Sequence, residues 1–288
     1  MERIERLDDY KNLVRQARME CKNPFSNNYF MPADVQRYID VGQAYYEPAG
    51  KGFLLILDEE RYYRVCLYVD AQQKFTIPVM DKRAIIKNVY RKGKEEPCLG
   101  QIEKNLEELH FEKRGTDVQI RGVVQTLFEK SSRLEKYVRK MEAKGYRCVM
   151  ADENCYEQIE EMVLASRIIK DYQIDYRTAD EKKKFQKGAY LCIFNNKEEM
   201  CAVNVCFIDN GVAYGEGVAI AEEFKMHGLA PMLSYYRYKW LHDNGIEYIQ
   251  AWILLENEAS LRYHESLGYQ FVNKYVDEWV RETDKARN

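Results

Sequence analysis

A chain of 288 residues with 46% hydrophobic and 32% charged residues is long enough for two domains, with one large α/β domain as the alternative. Its formal charge of −3 gives no overall attraction to nucleic acid or to an anionic membrane, which favours a small molecule or a protein as the partner. The N-terminus is charged from its second residue and the longest apolar run near it is 53–57. We therefore expect no signal peptide, no membrane span and a cytoplasmic protein whose eight cysteines are reduced.

Residues 1–122 alternate between helical and strand-like hydrophobic spacing. Apolar residues at helical intervals, such as Ile4, Leu7 and Leu13, indicate amphipathic helices, and short β-rich runs with polar connections indicate antiparallel strands. The predicted helices are 3–20, 35–41 and 99–109, and the predicted strands are 53–57, 62–69, 74–79, 84–90 and 116–122. These elements form a predicted first domain that ends at residue 122.

The second half begins with a helix at 123–145, which we interpret as the connection between the domains and which Gly145 ends. Residues 146–288 then form the second domain, in which the EKKK run at 181–184 is a solvated face. Its predicted strands are 146–150, 189–194, 200–208, 212–220, 247–253 and 269–280, and its predicted helices are 154–168, 227–243 and 257–267. The predicted fold class is α/β (α+β), with a mixed, mostly antiparallel sheet flanked by helices.

The connection EEFKMHGLA lies between the strand that ends at Ile220 and the helix that begins near His227. The apolar positions of this helix define its core face, and they are Leu229, Met232, Leu233, Tyr236 and Trp240. The first backbone N–H groups of a helix lack intrahelical partners and attract anions. Small residues at Gly228 and Ala230, with Lys225 beside them, predict a phosphate site. The alternative is a glycine that is merely tolerated in the first turn.

Neither a G-x-G-x-x-G fingerprint nor a G-x-x-x-x-G-K-[ST] loop is present at this connection. Residues 225–230, KMHGLA, instead resemble the R/Q-x-x-G-x-G/A loop of the GNAT superfamily of acyl-CoA N-acyltransferases, with Lys225 in place of Arg or Gln. Downstream, residues 257–269, NEASLRYHESLGY, are similar to the N-x-x-A/S-x-x-x-Y-x-x-x-G-F segment of the same family. The resemblance covers about residues 146–281.

The first half resembles the same fold only in its order of elements. After the strand 74–79, where a phosphate loop and its helix are expected, the sequence MDKR leads directly into another strand. The phosphate site is therefore not carried over to this half. The resemblance implies a tandem protein with a degenerate GNAT-like N-terminal domain at 1–122 and a full GNAT domain at 146–288.

The resemblance implies acetyl-CoA as cosubstrate and no metal. Its pyrophosphate would bind the backbone amides of residues 226–230, which are Met226, His227, Gly228, Leu229 and Ala230. Its pantetheine would pair like an additional strand against Val218 and Ile220. In the second motif, Ser260 is a further candidate, and Asn257 either contacts this arm or caps its helix.

Direct attack of an amine needs a base and an acid, and a backbone N–H near Val218 would polarise the thioester carbonyl. His264 stands where the family commonly has its acidic tyrosine, with Tyr263 beside it, and a histidine that is only packed on its helix is the alternative. Alternation along the strand would put Glu216 on one face with Tyr214, Val218 and Ile220, so Glu216 is the predicted base, with water as the alternative.

The predicted function is transfer of an acetyl group from acetyl-CoA to the primary amine of a small molecule or peptide through a ternary complex. A module that binds CoA or a protein without catalysis is the rival, and O-acyl or longer-chain transfer is a third class. The sequence contains no H-E-x-x-H and no G-x-S-x-G motif, so metal and serine-hydrolase chemistry are not supported. The sequence does not identify the acceptor amine or the oligomeric state, and a homodimer is one of the states that it allows.

Overall fold

The computed structural model describes residues 1–59, 61–93, 98–165, 188 and 190–283, and it divides into two compact units. The EKKK run and the end of the predicted helix 154–168 lie outside the described residues. Unit 1 comprises Met1–Val118, Leu254–Glu256 and Asn273–Asn288, and unit 2 comprises Gln119–Ile253 and Asn257–Val272. These ranges differ from the predicted 1–122, 123–145 and 146–288, because the C-terminal strand pairs with a strand of unit 1 and the helical connection packs within unit 2.

Unit 1 consists of a sheet with helices on both faces. Its strands run in the order β1, β3, β4, β5, β6, β13 and β7, with β2 paired to β5. The helices are α1 (Leu7–Glu20), α2 (Pro32–Asp40) and α3 (Leu99–Glu108). The strands are β1 (Glu2–Arg3), β2 (Pro24–Ser26), β3 (Ala44–Ala49), β4 (Gly52–Asp58), β5 (Tyr62–Asp70), β6 (Arg83–Tyr90), β7 (Glu112–Val123) and β13 (Gln270–Arg281), the last two with residues in both units.

The run FLLIL in β4 is apolar at every position because both faces of the sheet are covered. Leu55 and Leu57 pack with residues of α1 and α2, whereas Leu54 and Ile56 pack with residues of α3. All four of these leucine and isoleucine side chains have no exposed surface. A strand buried on both faces does not alternate between apolar and polar residues.

The predicted strand 74–79 is wrong, and the structure has β3 at Ala44–Ala49 instead. Phe75 and Ile77 are buried in the core, so the apolar pattern of the segment comes from packing and not from sheet pairing. Pro78 has no backbone N–H to donate to a neighbouring strand. As predicted, no phosphate-loop helix lies between β5 and β6 in the described residues.

Unit 2 is also a sheet covered on both faces, with strand order β7, β12, β11, β10, β9 and β8. Helices α4, α5, α7 and α8 pack on one face, and α6 packs on the other. Its helices are α4 (Val124–Ser132), α5 (Glu135–Ala143), α6 (Tyr156–Ala165), α7 (Leu229–Asp243) and α8 (Glu258–Leu267). Its other strands are β8 (Arg147–Met150), β9 (Leu191–Phe194), β10 (Met200–Asp209), β11 (Val212–Ile220) and β12 (Tyr248–Leu254).

The predicted connecting helix 123–145 is two helices, α4 and α5. The hydroxyl groups of Ser131 and Ser132 donate hydrogen bonds of 3.0 and 2.7 Å to carbonyl oxygens three residues earlier. Such bonds compete with the backbone ladder of a helix, and α4 ends there. The predicted stop is confirmed, because Gly145 has φ of +91° and Tyr146 N–H donates to Met141 C=O at 3.2 Å.

The core face of α7 differs from its predicted composition. Leu229, Met232 and Leu233 are buried as expected, but Tyr236 and Trp240 are only partly buried. The structure buries Arg237, Tyr238 and Leu241 in addition. Tyr238 and Leu241 pack with residues of α4, so the buried surface of α7 is wider than the stripe that faces the sheet.

The predicted fold class is confirmed as a mixed α/β fold with a mostly antiparallel sheet flanked by helices. Across the described residues, none of the helices has both the length and the apolar character needed to cross a bilayer.

Candidate acetyl-CoA site

Strands β11 and β12 pair in parallel over four residues and then diverge. Their pairing runs from Val212 opposite Tyr248 to Gly215 opposite Ala251, and in the described part of the chain it ends there. Residues 217–220 of β11 therefore pair on one side with β10, while their other edge is not paired with β12. An open edge of this kind accepts an extended ligand that hydrogen-bonds like a strand.

A β-bulge lies at the point of divergence. Val205 of β10 pairs with Gly217 of β11, and the next residue, Cys206, pairs with Gly215, so Glu216 is the extra residue. Gly217 has φ of +150°, a value that L side chains rarely adopt. The bulge thus places the predicted base, Glu216, at the start of the open edge.

The predicted alternation of Tyr214, Glu216, Val218 and Ile220 on one face is wrong. Val218 and Ile220 pack with the cluster that contains residues of α5 and α7, whereas Tyr214 stacks on Phe207 at 5.0 Å on the opposite face. The extra residue of the bulge changes the parity of every position that precedes it. Val218 and Ile220 do share a face, as predicted.

The connection from β11 to α7 presents unpaired backbone donors. Glu222–Phe224 forms a short 3-10 turn, and Met226 and Gly228 follow with φ of +66° and +79°. Within the described residues, the backbone N–H groups of four residues have no hydrogen-bond acceptor: Met226, Gly228, Leu229 and Ala230. Four backbone N–H groups at the positive end of a helix match the needs of a phosphate.

Two features of the fold require a glycine at position 228, and neither involves a ligand. The φ of Gly228, +79°, lies in the left-handed region, and a Cβ at this position would lie 1.7 Å from the Tyr137 hydroxyl oxygen. The same hydroxyl donates a hydrogen bond of 2.9 Å to the Gly228 carbonyl oxygen. Gly228 is therefore not a merely tolerated residue of the first turn.

The side chains of the same connection face solvent. Lys225 is exposed and pairs with the exposed carboxylate of Glu222, and Met226 is 99% exposed. The ring of His227 is also exposed and bonds the Tyr146 hydroxyl through Nδ1 at 3.0 Å. Lys225 can exchange Glu222 for a phosphate at little cost, since exposed ion pairs contribute about 0 to 1 kcal/mol.

Helix α8 begins at the second predicted motif. Asn257 is its N-cap, and its side-chain oxygen accepts a hydrogen bond of 3.1 Å from Ser260 N–H. The capping alternative for Asn257 is thus present in the structure. The helix ends at Gly268, whose φ of +104° is left-handed.

His264 is held on this helix in one tautomer. Its Nδ1 lies 2.8 Å from the Ser260 carbonyl oxygen, which can only accept, so Nδ1 carries the hydrogen. Burial lowers the pKa of His264 to about 4, so the ring is neutral at pH 7 and its Nε2 is an acceptor. The acid role predicted for His264 would need a second proton, on Nε2, which the neutral ring does not carry at pH 7.

A pH dependence of stability follows from this neutral ring. The folded-state pKa of about 4 lies below the value of about 6.5 for an exposed histidine, so the folded protein loses stability as pH falls from 6.5 towards 4. We expect His264→Asn, which keeps a donor to Ser260, to lose less unfolding free energy than the wild type between pH 7.5 and 4.5. The difference is on the order of 2 kcal/mol. Urea titrations at both pH values measure it, and parallel losses in the two proteins would contradict it.

Tyr263 lies beside His264 and bonds to α7. Its hydroxyl is 2.8 Å from the Ser234 hydroxyl, and burial raises its pKa. A phenol with a raised pKa keeps its proton at pH 7 and can act as a donor.

The sequence analysis missed Arg237, which is buried near these residues. It stands four residues after Leu233 and four before Leu241, two buried leucines on the same side of α7. A cation in the middle of such an i, i+4 row is the signal that could have identified it.

Unit 1 contains a second divergence of parallel strands, and its own chain fills it. Strands β5 and β6 pair from Tyr62 to Arg64, and β2 then pairs with β5 at residues 68–70. Between them, Asn27 Oδ1 accepts from Leu67 N–H at 2.6 Å and Asn27 Nδ2 donates to Lys87 C=O at 3.1 Å. At these positions the polar edges of β5 and β6 are thus already bonded within the chain.

A protein family and several solved structures are similar to this chain. Residues 153–269 match the sequence model described as the acetyltransferase (GNAT) family. A tandem GNAT protein from the clavulanic acid biosynthesis pathway has a similar fold, with 10% identity, a TM-score of 0.56 and coverage of 98% of this chain and 97% of that chain. A GCN5-related N-acetyltransferase from Sphaerobacter thermophilus gives 10% identity, a TM-score of 0.55 and coverage of 88% and 86%.

No match was found among curated proteins. At 10% identity the solved structures establish similarity of fold alone. The sequence match covers the β11 to α7 connection, the helix α8 and the strands that hold them. Residues 153–269 are therefore a domain of the acetyltransferase (GNAT) family.

Proposed function

We propose that this chain transfers the acetyl group of acetyl-CoA directly to a primary amine of a small molecule or a peptide, in a ternary complex. The observation that carries the proposal is the combination, within a GNAT domain, of an open β11 edge and four unpaired N–H groups at the start of α7. The first feature suits an extended amide chain, and the second suits a pyrophosphate.

The residues present fit acetyl-CoA, which would supply the activated acetyl group as a thioester. Met226, Gly228, Leu229 and Ala230 would bind the pyrophosphate through backbone N–H groups, with Lys225 as the cation beside them. Val218 and Ile220 would hold the pantetheine through the backbone of β11. Asn257 and Ser260 are bonded to each other at the helix start, which favours a positioning role for both in α8.

Glu216 is the proposed base. In the reaction, the amine nitrogen forms a bond to the acetyl carbon, the C–S bond breaks, and the sulfur leaves with the electron pair. The proton released by the nitrogen would pass to the Glu216 carboxylate, and a backbone N–H beside Val218 would polarise the acetyl carbonyl. Tyr263 remains a candidate proton donor, whereas a neutral His264 would act as an acceptor.

We further propose that only unit 2 binds acetyl-CoA. The corresponding position of unit 1 is occupied by β2 and Asn27, and no phosphate-loop helix follows β5 in the described residues. Unit 1 would then be a degenerate GNAT-like unit that contributes to the fold and not to cosubstrate binding.

The test of the proposed function is release of CoA thiol from acetyl-CoA in the presence of a panel of small amines and peptides. With any amine that supports release, we expect Glu216→Gln to lower kcat/KM by about 10²-fold, because a general base contributes at least that factor. Glu247→Gln, an exposed carboxylate before β12, is the matched control and retains full activity.

Three results would argue against parts of this proposal. Acetyl-CoA binding without thiol release from any amine is the result expected of a non-catalytic CoA-binding module. Unchanged activity in Glu216→Gln would leave water as the base. No binding of acetyl-CoA would remove the proposed function.

A further inference from the structure

Arg237 is a buried cation in unit 2 without a carboxylate partner. Its side chain is 4% exposed, and within the described residues it forms no ion pair. Its guanidinium lies 4.6 Å from the centre of the Tyr238 ring. A buried charge is costly unless it is paired or fully hydrogen-bonded, so such a residue calls for a functional explanation.

The hydrogen bonds of Arg237 leave donors unused. Nη1 donates to Asn204 Oδ1 at 2.8 Å and Nη2 donates to the Tyr238 hydroxyl, whereas the buried Nε has no partner in the described part of the chain. A guanidinium has five N–H groups, and two of them are accounted for. The buried Nε thus lacks the acceptor that a guanidinium needs once it is removed from water.

Arg237 lies near the point where strands β11 and β12 separate. A Cβ placed on Gly215, the last β11 residue paired with β12, would lie 3.8 Å from Arg237 Nη1. The N-terminal end of α7, at Leu229, packs against Val218 and Ile220. Further along the same helix, Arg237 lies near Gly215. A ligand whose phosphates lie at residues 226–230 and which follows β11 to the bulge therefore ends at Arg237.

We propose that Arg237 binds the sulfur of CoA and stabilises it as a thiolate when the C–S bond breaks. This inference rests on the proposed function. In the balanced step, the amine forms the C–N bond, the sulfur takes the electron pair of the C–S bond, and the amine proton goes to the base. The leaving thiolate then needs no proton within the step, because the guanidinium compensates its charge.

Glu216 of β11, the residue after Gly215, brings one carboxylate to this region and acts electrostatically on Cys206. The other groups that face Arg237, from β10, α7, α8 and the residue before β13, are a thiol, three phenols and an imidazole: Cys206, Tyr238, Tyr263, Tyr269 and His264. Burial raises the pKa of Cys206 to about 12, and the pKa of His264 is about 4, so the thiol and the imidazole are neutral. Within the described residues no ion pair compensates the charge of Arg237.

The test compares the affinities of CoA and of desulfo-CoA, which lacks only the sulfur, by calorimetry between pH 6 and pH 9. A free thiol has a pKa of about 8.5, and each unit by which the complex lowers it raises the CoA to desulfo-CoA affinity ratio tenfold at high pH. We expect this ratio to rise more than tenfold with pH in the wild type. In Arg237→Met the ratio stays flat or falls, and Arg237→Lys retains part of the rise.

The affinity for desulfo-CoA is the internal control, because it reports an intact site in each variant without involving the sulfur. An equal rise in Arg237→Met, or a flat ratio in the wild type, overturns the thiolate role and leaves CoA binding intact. Failure of the wild type to bind either compound overturns the proposed function, and this inference with it.

Discussion

Ala230→Glu is expected to lower the affinity for acetyl-CoA by about 10³-fold while the protein remains folded. Ala230 is the second residue of α7, beside the unpaired N–H groups, and a carboxylate there would face the pyrophosphate. Juxtaposed like charges cost several kcal/mol in a binding site. The same carboxylate stabilises the free helix by about 0.3 to 1 kcal/mol, because negative charge is favourable near a helix N-terminus. Binding and stability should therefore change in opposite directions.

Calorimetry with acetyl-CoA measures the affinity, and thermal unfolding measures the stability. Ala230→Gln is the matched control, since it adds nearly the same volume without charge and should lose much less affinity. Equal affinities of the Glu and Gln variants would show that no phosphate lies at this helix start. In the wild type we expect one site per chain, and two sites would contradict the assignment of unit 1 as filled by Asn27.

The sequence predicts the local elements well because their causes are local. Helical spacing and a left-handed stop such as Gly145 depend on a few neighbouring residues, and this predicted stop is present. The position of the phosphate connection relative to α7 follows from the same kind of pattern, since Leu229, Met232 and Leu233 fix which side of the helix faces the core. The fold class could therefore be predicted from spacing together with the family resemblance.

Features that depend on pairing between distant residues could not be predicted. A single extra residue at Glu216 reverses the faces of β11, and neither residue type nor spacing marks where a bulge will form. The filling of the unit 1 divergence joins Asn27 to Leu67 and Lys87, which are 40 and 60 residues away. The burial of Tyr238 and Leu241 likewise depends on α4, whose packing against α7 the apolar stripe does not reveal.

The state of His264 shows why residue type alone did not determine a chemical role. A histidine has a pKa near neutrality in water, but on α8 burial lowers it to about 4 and the Ser260 carbonyl selects the tautomer. The same residue type could be acid, base or acceptor, and its environment decides among them. The buried Arg237 charge offers the leaving sulfur a stabilisation that no acid from the motif has to provide.

Gly228→Ala is expected to lower the unfolding free energy of the ligand-free protein by about 2 to 5 kcal/mol. A left-handed conformation costs an L residue about 1 to 2 kcal/mol, and overpacking adds about 1 to 3 kcal/mol. Both costs apply here, because φ is +79° and the new Cβ would lie 1.7 Å from the Tyr137 hydroxyl oxygen. Urea unfolding in the absence of CoA measures the loss.

Gly245→Ala separates the two costs, because Gly245 has φ of +70° but no atom within 4 Å of its Cβ position. It should lose only the conformational part. Tyr137→Phe in the Gly228→Ala background removes the clashing oxygen and should recover part of the difference, since the next atom lies 2.9 Å away. If Gly228→Ala instead loses no more unfolding free energy than Gly245→Ala, the contact with Tyr137 does not explain why residue 228 is a glycine. If it costs nothing at all while CoA affinity is lost, the glycine of this motif serves the close approach of the phosphates and not the fold.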